Sequence, residues 1–531
     1  MLHFIPAWYQ QDLWCENEQS WTKRRMHTEF DDTVKQVQLF HRNRFYPYQI
    51  LLLSFAPNFR HFLHRQGVYR APYWSCFDAI QDVSRKKVTV LSFHNLNWPE
   101  SVEFIYNMFA VIVMLEGERY AQIDFGEDGN PIRIDLYRNG QVCRRNIYDD
   151  RGFVSSTVLY ECGKPVYQDY LMENGVWKMR CFQEDGHVEI NPAHSDFLLQ
   201  YRDKTQRKNF SRVCYDNLDQ VICEVLTAYL GLIGEKDLFC VAMHERHRQV
   251  LQKALADKKI ILSFFADRYL LDGDSDGLQL VKDADYIITD SRDNLRKVQR
   301  AVGTLDKRIA VIAPYDSRIE FGSSQQLKVQ NLLVPVDDMD DKLLEELVRL
   351  LAGYLPENED ARICLFTRRA DFGRDKLLLE TTRQILEKAG FEPGWAAEEE
   401  NSDGAENDLD LTETVPIRFF VKQCVDELSV SKCMREQRLI VDMRENQELY
   451  LQIAAVSFGI PQIVRIPTEY VEHKKNGIIV NKMEDLQSAL RYYLDGLQNW
   501  NEARVHAYEV VTEHTADKLL LAWKRVIGFV E

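Results

Sequence analysis

Two histidines, His244 and His247, enclose Glu245 and Arg246 and form the most metal-like cluster of the sequence. A zinc protease helix carries His-Glu-x-x-His, which places both imidazoles one helical turn apart. The spacing here is one residue shorter, so the sequence predicts a polar helix start after a strand and no metal site. The carboxyl end of a strand is also where α/β folds bind ligands, which keeps His244 a candidate contact.

A second chemical candidate is the run Asp272-Gly273-Asp274-Ser275-Asp276-Gly277, which matches the first half of a calcium-binding loop. The twelfth position of such a loop is a bidentate glutamate, whereas this sequence has Asp283. The flanking segments are predicted as strand and loop where helices are required. The sequence therefore favours a polar turn that binds no calcium.

A glycine-rich loop that could hold a phosphate is missing after the first predicted strand, Leu2–Ile5. The first glycine of the chain is Gly67, and the turn at Pro6–Gln10 carries bulky side chains. Such side chains would keep a diphosphate away from the backbone amides that usually bind it. Neither a Rossmann nor a P-loop pattern is present, and the sequence predicts no cofactor.

The same turn opens a segment rich in aromatic residues: Trp8, Tyr9, Trp14 and Trp21. Aromatic faces suit sugar rings and protein partners alike, although burial in a core is the favoured interpretation. Trp8 and Tyr9 are therefore candidate contacts for a ligand or a partner.

Charge excludes one class of function. The 531 residues contain 66 Lys and Arg against 82 Asp and Glu, a formal charge of −16, which argues against a basic nucleic-acid-binding protein. Nine acidic residues lie in Glu392–Glu413, which contains no Lys or Arg, so the remainder carries −7. A solvated surface loop is the favoured interpretation of this stretch, and a docking arm for a basic partner is the alternative.

The compartment is predicted from three observations. The longest apolar stretch, Met108–Leu115, is far shorter than the roughly 20 residues that cross a bilayer. The N-terminus lacks the basic region of a secretory signal. The 11 cysteines contain no Cys-x-x-Cys pair, which favours free thiols in a reducing cytosol.

The elements that must position these residues alternate between strands and helices on either side of a different central region. Before it, the pattern predicts strands at Leu2–Ile5, Tyr48–Phe55 and Val88–Phe93 and a helix at Glu29–Phe40. After Pro192, it predicts strands at Leu238–Met243, Ile260–Phe265, Tyr286–Thr289 and Arg308–Ala313, and helices at Arg246–Ala256 and Arg292–Val302. Such alternation indicates a parallel sheet.

The central region has glycines spaced 11 or 12 residues apart, mostly in Asn-Gly or Asp-Gly pairs, at positions 129, 140, 152, 163, 175 and 186. These pairs supply the positive φ of tight hairpin turns. We therefore predict an antiparallel β-meander of six or seven strands between Arg119 and Ile190.

A second α/β block follows. Its predicted strands are Val329–Val336, Arg362–Phe366, Arg438–Asp442, Gln462–Arg465 and Gly477–Val480. Its predicted helices are Asp341–Ala352, Asp375–Ala389, Gln447–Phe458 and three at the C-terminus, within Glu484–Leu497, Asn501–Val511 and Thr515–Ile527. We thus predict an N-terminal Rossmann-like domain (1–116 and 193–325), a β-meander insertion (117–192) and a C-terminal Rossmann-like domain (326–531) with an acidic loop (392–413).

The stretch from Arg438 onward resembles the two-domain retaining glycosyltransferases of the GT-B type. The resemblance is carried by Ala454–Val464, which is similar to that family's helix, Gly-x-Pro turn and strand, and by Asn476–Asn481 and Glu484–Leu490. It implies an α/β fold of two Rossmann-like domains in the GT-B arrangement, with the meander inserted in the first. Gly459 would end the helix and Pro461 would precede the strand.

The resemblance also implies where a donor sugar nucleotide would bind, and there the sequence departs from active enzymes. The two glutamates of the family fall on Asn446 and Ala454, and Val336 stands where an arginine is expected, leaving only Lys342. Leaving-group charge must be neutralised in this chemistry. The sequence therefore predicts a vestigial donor site at Asn446, Ala454, Gly459, Pro461 and Lys342, and no catalytic residues.

This chain combines a GT-B-like pattern, a β-meander and a donor site that lacks the residues of active enzymes. In these features, and in its start Met1–Tyr9, it resembles the first of the three Asp proteins of the Gram-positive accessory Sec system. It implies a non-catalytic, cytoplasmic export factor. The implied partners are two sister Asp proteins, a SecA-like motor and glycosylated serine-rich-repeat adhesins, with no nucleic acid. Peripheral association with the inner face of the membrane is compatible with this role. Candidate contacts to glycan or partner are Trp8, Tyr9, His244 and Glu448.

The alternative is an active GT-B glycosyltransferase that uses a nucleotide-sugar donor and whose acids have moved. Its candidate residues are Glu445, Glu448 and Glu469.

Overall fold

The structure is a computed structural model that describes residues 1–10, 13–16, 30–271, 275–303, 308–320, 322–369, 371–399, 415–466 and 468–530. The chain forms two compact units. The first contains residues 1–290, 294–311 and 524–531, and the second contains residues 291–293 and 312–523.

The first unit starts as predicted, with a buried strand followed by a helix. Its first elements are β1 (Leu2–Ile5), α1 (Asp32–Asn43), β2 (Tyr48–Leu52), α2 (Phe59–Arg65), β3 (Tyr73–Ser75) and α3 (Cys76–Ile80). Helix α1 begins three residues later than predicted because Asp31 caps it, its carboxylate accepting hydrogen bonds from the amides of Thr33 and Val34.

The strand predicted at Val88–Phe93 is wrong. Residues 88–92 have no regular structure, and a short 3₁₀ turn covers Phe93–Asn95. Val90 is 83% exposed, so this apolar run does not cover a sheet. An apolar run predicts a buried strand only if other elements cover it, and that is a tertiary property.

The next elements form a long antiparallel sheet. They are β4 (Glu103–Tyr106), β5 (Val111–Leu115), β6 (Glu118–Phe125), β7 (Pro131–Arg138), β8 (Gln141–Asp149), β9 (Phe153–Glu161), β10 (Lys164–Leu171), β11 (Trp177–Phe182) and β12 (Val188–Ile190). The prediction of six or seven strands between Arg119 and Ile190 is confirmed by β6–β12. The six glycines of the spacing pattern all have φ between 75° and 84°, the conformation that the turns require.

The antiparallel sheet exceeds the predicted bounds of 117–192 in both directions. Strands β4 and β5 precede it, and after a separate hairpin of β13 (Asp196–Tyr201) and β14 (Lys204–Asn209), strand β15 (Cys214–Tyr215) pairs with β12. The ten strands lie in the order β15-β12-β11-β10-β9-β8-β7-β6-β5-β4. The added strands escaped prediction because their turns lack the Asn-Gly and Asp-Gly pairs of the central region.

The α/β pattern then resumes with α4 (Leu218–Leu230), β16 (Leu238–Ala242), α5 (His247–Ala254), β17 (Lys259–Phe264), α6 (Ser275–Asp283), β18 (Tyr286–Thr289), α7 (Arg292–Val302) and β19 (Ile309–Val311). Seven parallel strands form one sheet in the order β19-β18-β17-β16-β1-β2-β3. The polar turn predicted at Asp272–Gly277 is wrong in its second half, because helix α6 begins at Ser275. The first half, 272–274, lies outside the described residues.

The second unit contains a parallel sheet of six strands. Its elements are β20 (Gln330–Pro335), α8 (Asp341–Tyr354), β21 (Ala361–Thr367), α9 (Arg374–Lys388), β22 (Phe419–Gln423), α10 (Glu427–Met434), β23 (Gln437–Asp442), α11 (Leu449–Phe458), β24 (Gln462–Val464), β25 (Gly477–Ile479), α12 (Leu486–Leu494), α13 (Leu497–Glu513) and α14 (Ala516–Val530), whose last residues belong to the first unit. The strand order is β22-β21-β20-β23-β24-β25. Prediction missed β22 and α10. Most of the predicted acidic loop, from 400 onward, lies outside the described residues.

Apolar side chains on the faces of both parallel sheets form the cores, with Phe239 and Val241 of the first sheet and Leu332 and Val441 of the second fully buried. Among the described residues, no helix is both long enough and apolar enough to cross a bilayer.

Candidate functional site

In the first unit, the N-terminus of α1 lies after β1, where α/β proteins often bind an anion. Here the helix supplies its own anion: the Asp31 carboxylate accepts hydrogen bonds from the amides of Thr33 (2.9 Å) and Val34 (3.3 Å). Trp8 donates its indole N–H to the same carboxylate at 2.9 Å. The first-turn amides are therefore already occupied by a carboxylate of the chain itself.

A buried guanidinium neutralises this helix end. Arg268 lies 3.0 Å from Asp31 and 2.6 Å from Asp32, and it also donates to the carbonyl oxygen of Met243 at 2.9 Å. Asp32 accepts a further hydrogen bond from the Ser263 hydroxyl at 2.5 Å. Burial and the neighbouring Asp32 raise the pKa of Asp31 to about 6, against the opposing effect of Arg268. The arrangement is a closed ion-pair network in which both carboxylates have partners.

The aromatic turn and the histidine pair meet beside this network. The Tyr9 hydroxyl lies 2.7 Å from His247 Nε2, and His247 Nδ1 lies 2.5 Å from the carbonyl oxygen of Ala242. The carbonyl can only accept, so Nδ1 carries the proton, and Tyr9 donates to Nε2. Burial lowers the pKa of His247 to about 3, which keeps the ring neutral. The ring of His244 lies 5.0 Å from that of Tyr9.

These positions bear on three predicted contacts. Trp8 and Tyr9 are each 5% exposed, and His244 is half-buried. Trp21, of the same aromatic segment, lies outside the described residues. The helix start predicted at His244–His247 is confirmed, because α5 begins at His247, with four residues between it and the end of β16. Within the described residues, no group of three or more His, Cys, Asp and Glu side chains is arranged to hold a metal ion.

In the second unit, charged groups follow three neighbouring strands where each strand ends. Asp337, two residues after β20, accepts hydrogen bonds from the Thr367 hydroxyl (2.7 Å) and the Arg368 amide (2.6 Å). The carboxylate of Asp442, the last residue of β23, accepts hydrogen bonds from Nε and Nη2 of Arg444 at 2.9 and 2.8 Å. The parallel order brings these strand ends to one edge of the sheet.

Arg368 links this edge to the start of α11. Its guanidinium donates to Glu448 at 2.7 Å, and the Glu448 side chain is 28% exposed. Partial burial raises the pKa of Glu448, although Arg368 and Arg444 act in the opposite direction. Glu448 is therefore the candidate contact that combines access to water with a perturbed carboxyl group.

The edge as a whole is balanced in charge. The cluster holds four carboxylates and four guanidinium groups, namely Asp337, Asp338, Asp442, Glu448, Arg368, Arg369, Arg374 and Arg444. Each guanidinium contacts at least one of the carboxylates. A donor diphosphate needs uncompensated positive charge, whereas here the arginines already have partners of opposite charge.

The residues of the predicted donor site occupy this unit as follows. Asn446 is exposed before α11, and Ala454 is 9% exposed within it. Gly459 ends α11 with φ 68°, as predicted, and Pro461 immediately precedes β24. Lys342 is exposed in the first turn of α8.

The acids of the alternative, transferase interpretation differ in their surroundings. The Glu445 side chain is 78% exposed and lies 3.7 Å from Arg465. Glu448 belongs to the charge-balanced edge described above, and Glu469 is half-buried.

Sequence reasoning missed the residues that organise both edges: Asp31 and Arg268 in the first unit, and Asp337, Arg368 and Arg444 in the second. One local signal was available. Asp-Asp at Asp31–Asp32 before an apolar helical pattern is typical of a helix N-cap. The arginine partners lie up to 237 residues away in sequence and carried no such signal.

Comparison with known proteins first defines the class. The chain has the fold of the GT-B glycosyltransferases: it matches the pneumococcal O-GlcNAc transferase GtfA, solved with UDP and GlcNAc, with a TM-score of 0.68 over 100% of this chain and 98% of that chain. The sequence identity is 12%, so this likeness shows the fold alone.

The family follows from closer matches. The family model of the first Asp protein of the accessory Sec system matches residues 1–528. The chain is 31% identical to the first accessory Sec system Asp protein of Streptococcus gordonii over 99% of this chain and 98% of that protein. A solved Gap123 complex of Streptococcus agalactiae contains a chain that is 29% identical, with a TM-score of 0.79 and full coverage of both chains. This chain therefore belongs to the family of the first Asp protein of the accessory Sec system.

Proposed function

We propose that this accessory Sec component works as a binding protein without glycosyltransferase activity. The observation that carries the proposal is the charge-balanced edge of the second parallel sheet, where each arginine of the cluster contacts a carboxylate of the chain itself. The positions that the resemblance assigns to donor-binding glutamates hold Asn446 and Ala454, and neither can act as an acid.

Its first partners would be two sister Asp proteins. This proposal is supported by the titles of two similar solved structures, the Gap123 complex of Streptococcus agalactiae and accessory secretory proteins 1, 2 and 3 of Streptococcus pneumoniae. The second also has a TM-score of 0.79, covering 100% of this chain and 99% of that chain.

The remaining roles follow from membership in an export system. The chain would act in the cytoplasm, peripherally at the inner face of the membrane in one form of the proposal. There it would help a SecA-like motor to export glycosylated serine-rich-repeat adhesins. Of the four predicted contacts to glycan or partner, we propose His244, which is half-buried, and Glu448, whose side chain is 28% exposed. Trp8 and Tyr9 are not retained, because each is 5% exposed and its polar atom binds a residue of the chain itself.

The first test separates this function from that of an active transferase. The observation that favours a transferase is Glu448, a partly exposed carboxyl with a raised pKa. Purified chain is incubated at high concentration with UDP-sugars, and release of UDP and free sugar is followed. We expect no release above a protein-free blank. Turnover that disappears in Glu448→Gln but persists in Glu445→Gln would overturn the proposal.

The second test is copurification from the native host with a tag on this chain. We expect both sister Asp proteins to be recovered in a fixed ratio, including after a high-salt wash. Recovery of the chain without either sister would contradict the proposed assembly, whatever the transferase assay gives.

A further inference from the structure

The long antiparallel sheet ends in an open strand. Strand β4 pairs on one side with β5, through residues Glu103 to Tyr106, and it is the last strand in the order. No strand among the described residues pairs with its outer side. An edge of this kind presents a row of backbone N–H and C=O groups to solvent.

Proteins usually protect such an edge, and β4 has only part of that protection: it is four residues long and carries the exposed Glu103, but it lacks the other devices. Lysine or proline on the strand, or a bulge that twists it away, would block further pairing. Strand β4 has the sequence Glu-Phe-Ile-Tyr, and its pairing with β5 continues without a register shift. Ile105 is 48% exposed and Tyr106 is 62% exposed, so apolar surface lies on the open strand itself.

The chain segment that contains this edge is acidic, with the basic residues Arg85–Lys87 shortly before it and Arg119 directly after it. Residues 88–118 contain no Lys or Arg, and their four acidic residues are all exposed: Glu100, Glu103, Glu116 and Glu118. The segment carries a formal charge of −4, and Glu103 lies on β4 itself. A strand that added here would lie beside the Glu103 carboxylate, which favours a basic side chain at the facing position.

A recess lies beside the end of the strand. It has a volume of about 440 Å³ and is lined by the hairpin tip and by the end of β6, including Met108, Phe109, Val111 and Phe125. Met108 is 75% exposed and Phe109 is 60% exposed. In strand addition, backbone hydrogen bonds supply affinity and neighbouring pockets supply specificity for a side chain.

We propose that the outer edge of β4 binds an extended, basic segment of a partner protein as an added β-strand, with one apolar side chain of that segment in the recess formed by Met108 and Phe109. The open backbone favours an added strand, the exposed Glu103 on β4 favours a basic side chain on that strand, and the recess favours an apolar one. The proposal goes beyond the function above and does not depend on whether the chain transfers sugars.

A second copy of this chain is a poorer occupant. Pairing two β4 edges would bring two segments of charge −4 together, and like charges directly opposite each other on paired strands are destabilising. A basic segment gains from the same charges. The partner's chemistry is therefore alternating basic and β-branched or aromatic residues.

The test uses the full chain and two labelled synthetic peptides that alternate Val with Lys, or Val with Glu. Fluorescence anisotropy is measured at low and physiological salt. We expect the Lys peptide to bind and the Glu peptide not to bind. Affinity should fall as salt rises, because exposed charges are screened. In Ile105→Lys and in Tyr106→Lys, binding should weaken about tenfold or more, because a charge now opposes the incoming basic strand.

The matched control is Leu377→Lys on α9, a residue that is 60% exposed in the second unit, and it should bind like the unaltered chain. Circular dichroism should be the same for all variants. Equal binding of both peptides, no binding of either, or full binding by Ile105→Lys would overturn the proposal. So would a dimer, seen by light scattering, that Ile105→Lys disrupts, since the occupant would then be a second copy.

Discussion

At the carboxyl edges of both parallel sheets, carboxylates pair with guanidinium groups, but these charged side chains differ in how far they are exposed to solvent. In the first unit, Arg268 and Asp32 have side chains only 14% and 2% exposed, Trp8 donates to Asp31 of the same network, and Tyr9 binds His247 beside it. In the second unit, Arg369 and Asp338 are 48% and 66% exposed, while Asp442 is buried. Both edges form ion pairs between side chains of the chain itself, but only the second edge includes an ion pair whose two side chains are largely exposed to solvent.

This difference separates a stabilising role from a binding role. Removing one partner of an ion pair that has lost its water is strongly destabilising, because the other charge stays buried without compensation. An exposed pair contributes little to stability and keeps part of its surface in water, where an uncharged ligand such as a sugar can contact it without separating the two charges. The first edge is therefore a structural closure of the sheet, and the second is where a weak ligand contact remains feasible.

The largest expected effect is at Arg268. Arg268→Met leaves Asp31 and Asp32 buried without their counter-ion and should destabilise the first unit by about 3–5 kcal/mol. Urea unfolding, with hydrogen exchange of α1 as the local readout, measures it. The matched change in the second unit, Arg369→Met, should cost about 0–1 kcal/mol. Equal losses in the two variants would remove the contrast between the edges.

The next effect is at Tyr9. Tyr9→Phe removes the hydroxyl that donates to the buried His247 ring, leaving Nε2 without this partner, and should cost about 1–3 kcal/mol. Tyr106→Phe, on an exposed tyrosine, should change stability by less than about 0.5 kcal/mol. A Tyr9→Phe chain as stable as the Tyr106→Phe chain would mean that the first edge is hydrated.

The pH dependence of the first unit sharpens the comparison further. The pKa of His247 is lowered from 6.5 to about 3 in the folded chain. As pH falls below 6.5, His247 is therefore protonated in the unfolded chain but not in the folded chain, and the folded chain loses stability. This one group contributes a slope of up to about 1.4 kcal/mol per pH unit. His247→Gln should reduce the slope between pH 6 and 4, while His64→Gln, exposed on α2, should leave it unchanged. Unfolding curves at several pH values measure both.

The smallest effect is expected at Glu448. Its pKa is raised by partial burial, so this carboxylate costs stability as pH rises above its ordinary value of 4.5. Glu448→Gln should change stability at neutral pH by less than about 1 kcal/mol, because the loss of the Arg368 pair offsets the relief. A loss of several kcal/mol, compared with Glu445→Gln as control, would show that the second edge is as closed as the first.

Sequence patterns predicted the architecture best where local chemistry decides it. The glycine pairs set the turns of β6–β12, and Gly459 ends α11, because positive φ is a property of single residues. Strand β4 and the hairpin of β13 and β14 were missed because their turns use other residues, such as Arg202 with φ 52°. The exposed run at Val88–Val90 was mistaken for a strand because its burial depends on neighbours that the sequence does not name.

The candidate sites were predicted less well, for a related reason. The helix predicted at Gln447–Phe458 is present as α11 and contains Ala454, since helix position follows from periodicity, whereas Asn446 lies three residues before it. The pairing of Arg368 with Glu448, 80 residues apart, depends on strand order within the sheet. No local pattern specifies such a pair, and the charge balance of the edge therefore emerges only in three dimensions.

The most direct test of the central claim is calorimetric titration of the full chain with UDP and with UDP-GlcNAc. We expect no saturable heat with either nucleotide, because the arginines of the second edge are already neutralised by carboxylates. Saturable binding of UDP that is lost in Arg368→Met, with Arg465→Met as an unaffected control, would contradict the central claim. That result would mean that arginines of the second edge leave their carboxylate partners and bind a diphosphate, as they must in an active donor site.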